Sequence, residues 1–172
     1  LLKHVPIEIN TSGKSLSDLI EDGDVDATLG TSLPEAIRHN PEIMRLFPNF
    51  RDVEKEYYKR TKIYPIMHLV AIRKDVYEKN PFIATSLVNA FTKSKEIALQ
   101  KMYNLRALRY MLPWMTADID EIYDVFGGDP WPYGVEKNRP TLEALITYLV
   151  DQALVAPANR PKVDDLFVQT YG

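Results

Sequence analysis

Few residues in this sequence could do chemistry, and most of the familiar patterns fail. The histidines are His4, His39 and His68, and no second histidine follows any of them at i+2, i+3 or i+4. There is no H-E-x-x-H pattern and no cysteine, which removes thiolate metal sites, iron–sulfur clusters and cysteine nucleophiles. Asp22, Asp24 and Asp26 alternate, but no glutamate stands where a calcium loop needs its bidentate ligand, so they read as a solvated acidic turn. No metal site is expected. Gly127-Gly128 is not followed by Lys and Ser/Thr, and neither G-x-G-x-x-G nor G-x-S-x-G is present. Three places remain. His68 shares a face with Ile66 and Val70 inside an apolar run; a buried imidazole must find a partner or cost ~1–3 kcal/mol. It is either a structural histidine bonded to a carbonyl or a functional one. Arg60 precedes it, and the link from Thr61 to Pro65 is short enough to keep both in one cleft. A guanidinium fork fits a carboxylate bidentately, although Arg60 also reads as a solvated cation at a helix end. Gly30-Thr31-Ser32 ends one element and opens another, where free N–H groups favour an anion. An ordinary capped turn reads the same way.

The elements that must position these residues follow from periodicity. Ser15 to Asp22 reads as a short helix, with Ser15 as N-cap, Asp18 at the box position, a buried Leu16/Leu19/Ile20 stripe and Gly23 as a left-handed stop. Val5 to Ile9 and Asp24 to Gly30 read as strands. A helix with Pro34 at an early position follows. Asn49 opens an amphipathic helix that buries Phe50, Val53 and Tyr57 and ends near Thr61. Ile66 to Ile72 is almost unbroken apolar, the mark of a parallel strand buried on both faces and closed by Arg73-Lys74-Asp75. The longest helix is expected from Asn80-Pro81 to about Met102, with Ile83, Leu87, Phe91 and Ala98 inward. Helices over Leu105–Met111, Met115–Phe126 and Thr141–Leu154 complete the chain. Between the last two lies a stiff aromatic loop, where Trp131 and Tyr133 either stack on a ligand or clamp the loop to the last helix. Asn138 either caps that helix or bonds within the loop.

Composition narrows the class further. Over 172 residues, 21 Lys plus Arg against 24 Asp plus Glu leave a net charge of −3, which gives no support for nucleic-acid binding. An apolar share of 45% with 26% charged residues is that of a folded, soluble chain, and no apolar run is long enough for membrane insertion. The lack of cysteine fits cytoplasm and periplasm alike and leaves the compartment open. The chain begins with Leu1, inside an apparent strand, and the Ile66 strand has no obvious neighbour. Both features lead to the expectation that it is the C-terminal half of a longer protein and that the missing strand partners lie upstream.

Several segments together resemble the 4,5-dihydroxyphthalate decarboxylase family. They are Gly23-Asp24-Val25-Asp26-Ala27, Leu46-Phe47-Pro48, Glu56 to His68, Met111-Leu112-Pro113-Trp114, Trp131 to Arg139 with Thr141-Leu142-Glu143, and Asp165-Leu166-Phe167. The resemblance covers nearly the whole chain in order. The Tyr57-to-His68 and Trp131-Pro132-Tyr133-Gly134 stretches are the most specific. Two positions depart from it: the family tends to carry glycine at Lys62, and arginine or alanine at Thr31-Ser32.

The resemblance implies an α/β, type II periplasmic-binding-protein-like bilobal fold. Residues 1–62 would finish the second lobe, and residues 63–172 would return to and complete the first. It also implies a non-oxidative decarboxylase for a hydroxylated aromatic dicarboxylate held between the lobes. His68 would be the general acid. Arg60 would hold a carboxylate, while Thr61, Thr31 and Ser32 would take the second carboxylate or a ring hydroxyl. The scheme needs no organic cofactor, and its partner is a small aromatic carboxylate. The alternative is the substrate-binding protein of an ABC-type transporter, with a permease as partner and the same residues serving only as hydrogen-bond donors. The first would be cytoplasmic, the second periplasmic or lipid-anchored.

Overall fold

The computed structural model describes residues 6–104, 106, 110–168 and 170. The described chain is built from helices joined by turns and extended segments, with no strand among the described residues. The expected α/β, type II periplasmic-binding-protein-like architecture is therefore not what this chain forms. The transporter reading drew on that architecture and loses its ground with it.

Two compact units are present, Leu2–Glu54 and Lys55–Gly172. In the first, α1 (Leu16–Glu21) forms because Ser15 and Asp18 close a reciprocal capping box. Gly23, at φ +75°, ends it, and the Asp24 and Val25 N–H groups both return to the Leu19 carbonyl at 2.8 and 3.3 Å. That return corrects the strand expected over Asp24–Gly30: its first residues close α1, and Asp and Gly favour a ladder poorly. Leu19 is buried with Ala36 of a 3₁₀ turn, Glu35–Arg38, but Leu16 stays exposed. The Glu35 N–H donates to Ser17 Oγ at 3.1 Å, and His39 Nε2 meets Glu21 Oε1 at 2.8 Å. The other strand, expected over Val5–Ile9, begins outside the described residues, and residues 6–9 are unpaired and exposed.

Helix α2 (Phe50–Thr61) contains the boundary between the units and buries none of its residues. Phe50, Val53 and Tyr57, expected inward, are 37–39% exposed. Next come α3 (Lys74–Lys79), which the sequence reading missed, and α4 (Phe82–Tyr103). Leu105 and residues 107–109, where a further helix was expected, lie outside the described residues, as does His4. Helix α5 (Met115–Phe126) has the expected bounds and stops at Gly127, at φ +68°. Helix α6 (Val135–Asp151) begins six residues before the predicted Thr141. Pro140 inside it cannot donate to the Glu136 carbonyl. Arg139 braces that turn instead, with Nη2 at 2.5 Å from Glu136 Oε1 and 2.7 Å from Asp164 Oδ1. Arg139 thereby ties α6 to α7 (Val163–Leu166), and Leu142, Ile146 and Val163 form a buried cluster with Val135 and Phe167 against it. No described helix is long and apolar enough to cross a membrane.

The segment from Ile66 to Ile72 is the largest correction. It forms no regular element, and no backbone hydrogen bond links it to another described segment. Met67, Leu69 and Val70 are 65–68% exposed. A run of apolar side chains supplies no means of satisfying its own N–H and C=O groups, so a strand appears only where a neighbour pairs with it.

Candidate active site

Arg60 and Thr61 end α2, and the chain turns there because Lys62 adopts a left-handed conformation at φ +58°. The Lys62 N–H donates to the Tyr58 carbonyl at 2.8 Å, so the expected glycine position is a helix stop. Thr61 Oγ1 donates to the Tyr57 carbonyl at 2.7 Å and accepts from the Ile63 N–H at 3.1 Å, which commits its hydroxyl to that stop. The Arg60 guanidinium is exposed and lies 5.6 Å from the centre of the Tyr57 ring, a cation–π contact. The Tyr57 phenol is the largest influence on Tyr148 of α6 and holds that phenol above its ordinary value, with the Asp151 charge a smaller one.

Two residues beyond Lys62, Tyr64 is pinned. Its N–H donates to Thr141 Oγ1 and the same hydroxyl donates to its carbonyl, each at 3.2 Å. Its ring packs against Phe126 at 5.0 Å and Trp131 at 6.4 Å, and Tyr58 joins at 4.5 Å from Phe126. His68 follows four residues after this anchor, exposed rather than buried in a strand as expected. No hydrogen bond or ion pair joins His68 to Arg60 among the described residues. Thr31 and Ser32 are exposed in a bend of the other unit.

The aromatic loop 127–134 is held from three sides. Lys95 of α4 meets Asp129 Oδ2 at 2.6 Å and the Trp131 carbonyl at 3.1 Å, with its ammonium 4.3 Å from the Tyr133 ring centre. Tyr103 donates to the Gly128 carbonyl at 2.6 Å; burial is the first cause holding that phenol above its ordinary value. Asn138 donates to the carbonyls of Pro132 and Gly134 at 2.7 and 2.8 Å, the loop-bonding role weighed for it from sequence. Trp131 packs on Tyr64, which lies well before the last helix to which it was expected to clamp the loop. Tyr64 and Thr141 are the positioning residues that sequence reasoning missed. A tyrosine before a proline and a threonine after one carry no pattern that links them across 77 positions.

Among the described residues no group of three or more His, Asp or Glu side chains gathers to hold a metal ion. Asp22 and Asp24 are instead bridged by Lys14 at 2.8 and 2.6 Å, which raises the ammonium's pKa above its ordinary value.

No family model matches the chain. Over 135 residues, 78% of its length, it is 30% identical to a protein of Comamonas testosteroni named 4,5-dihydroxyphthalate decarboxylase. The chain spans 41% of that protein's length.

Proposed function

We propose that this protein is a non-oxidative decarboxylase for a hydroxylated aromatic dicarboxylate of the 4,5-dihydroxyphthalate type. The observation that carries this reading is the 30% identity to a protein of that name, sustained over 78% of the chain. In such a substrate each ring hydroxyl lies para to a carboxylate-bearing carbon. Ionised, it pushes electrons into the ring, and that carbon takes a proton. The bond to the carboxylate then breaks, its electron pair restores the aromatic ring, and CO₂ departs. The protein must supply the proton and hold the other carboxylate.

His68 is the proposed donor. It is exposed, lies four residues past an anchored tyrosine, and is a histidine, the side chain most often used to transfer a proton in such steps. Arg60 is the proposed carboxylate holder, because its exposed guanidinium has a ring contact but no ion pair among the described residues.

The test is CO₂ release from 4,5-dihydroxyphthalate, with phthalate as the control that lacks the pushing hydroxyls, using the full-length protein. His68→Gln keeps a hydrogen-bond donor but cannot deliver a proton. Turnover should fall ~10²–10⁴-fold while substrate binding persists. Turnover at the original rate would remove His68 from the reaction. Absence of CO₂ release by the unaltered protein would end the decarboxylase reading. Arg60→Lys keeps the charge and loses the fork, and should weaken substrate binding about tenfold or more.

A further inference from the structure

The unit Leu2–Glu54 contains a hollow of about 460 Å³ that plays no part in the reading above. It is a shallow, open depression rather than an enclosed cavity, and Met44 in its wall is 70% exposed. Two arginines line it, Arg38 and Arg45. Neither forms an ion pair among the described residues, although glutamates stand close in sequence at Glu35 and Glu42. Arg45 rests on the Phe50 ring at 4.3 Å, a contact that restrains the side chain and leaves its N–H groups available. His39 also lines the hollow, but its Nε2 is taken by Glu21. The rest of the wall is mostly apolar: Ile37, Pro41, Ile43 and Met44.

We propose that this hollow binds a small organic anion, with a carboxylate on Arg38 and Arg45 and an apolar body against the Ile37, Pro41, Ile43 and Met44 wall. Two arginines on one hollow, without an ion pair among the described residues, favour an anionic head. The apolar wall favours a ligand that also buries a hydrocarbon or aromatic body, which a bare inorganic anion lacks. The unbranched, polarizable Met44 side chain adapts to a flat ring. The proposal does not depend on the decarboxylase reading and survives its failure.

Titration of the full-length protein with sodium benzoate tests it, followed through the backbone amide signals of residues 37–48 by NMR at fixed ionic strength. Benzoate should shift those signals saturably. Benzamide, which keeps the ring and loses the charge, should not, and inorganic phosphate should bind about tenfold more weakly or worse. Arg38→Gln and Arg45→Gln should each weaken benzoate about tenfold or more. Arg45→Lys, which keeps a cation over Phe50 and so guards against misfolding, should weaken it in the same direction. Benzamide matching benzoate overturns the role of charge, and phosphate matching benzoate overturns the apolar body. No saturable shift with benzoate overturns the site.

Discussion

The loop at 127–134 and the run at 66–72 make the most instructive pair of regions. Both are short and lie between helices; the run is almost wholly apolar, and the loop sets Trp131 and Tyr133 among glycines and prolines. The loop is fixed: Lys95, Tyr103 and Asn138 reach its carbonyls from α4 and α6. Among the described residues the run has no such supporters, and most of its side chains are exposed. Apolar content does not decide which of the two is ordered by the rest of the chain. What decides is whether polar side chains elsewhere are aimed at the segment's backbone groups.

Four substitutions would break or sharpen this contrast. Gly128 is buried at φ +91°, and an added Cβ would come within 2.8 Å of the Tyr123 ring. Gly128→Ala combines backbone strain with overpacking and should destabilise the unit by about 2–4 kcal/mol in chemical denaturation. Asn138→Ala removes both bonds to the loop and should cost about 1–3 kcal/mol, with loss of protection at the loop amides. A gain is expected at Lys62, whose φ of +58° suits glycine. Lys62→Gly should stabilise by about 0.5–1 kcal/mol even though it gives up the 5.2 Å contact with Tyr58. The smallest effect belongs to the run itself. Val70→Thr should lie within about 0.5 kcal/mol of the unaltered protein, since that side chain is 65% exposed. A loss of 2 kcal/mol or more, on the order of a core substitution, would show that the run is covered in solution.

What could be read in advance follows the same division. Helix ends set by local chemistry were legible: the Ser15–Asp18 box, the Gly23 stop, and α5 with its glycine after Phe126. Each rests on residues within a turn of one another. The α/β expectation failed because it needed pairing that periodicity cannot supply. The α6 start failed because Pro140 looks like a boundary until Arg139 is seen bracing the turn around it. For the candidate site, Arg60 and His68 were legible as residue types. The Tyr64–Thr141 anchor between them and α6 was not, because it joins side chains 77 positions apart.

Thr61 carries a consequence for ligand traffic. Its hydroxyl donates to the Tyr57 carbonyl and accepts from the Ile63 N–H. Any molecule that takes a hydrogen bond from this hydroxyl must first displace the Tyr57 carbonyl as its acceptor, so binding there is thermodynamically linked to the end of α2 and weakened by the cost of breaking that bond. Proton exchange at the Ile63 amide, whose N–H donates to the same oxygen, would read that linkage.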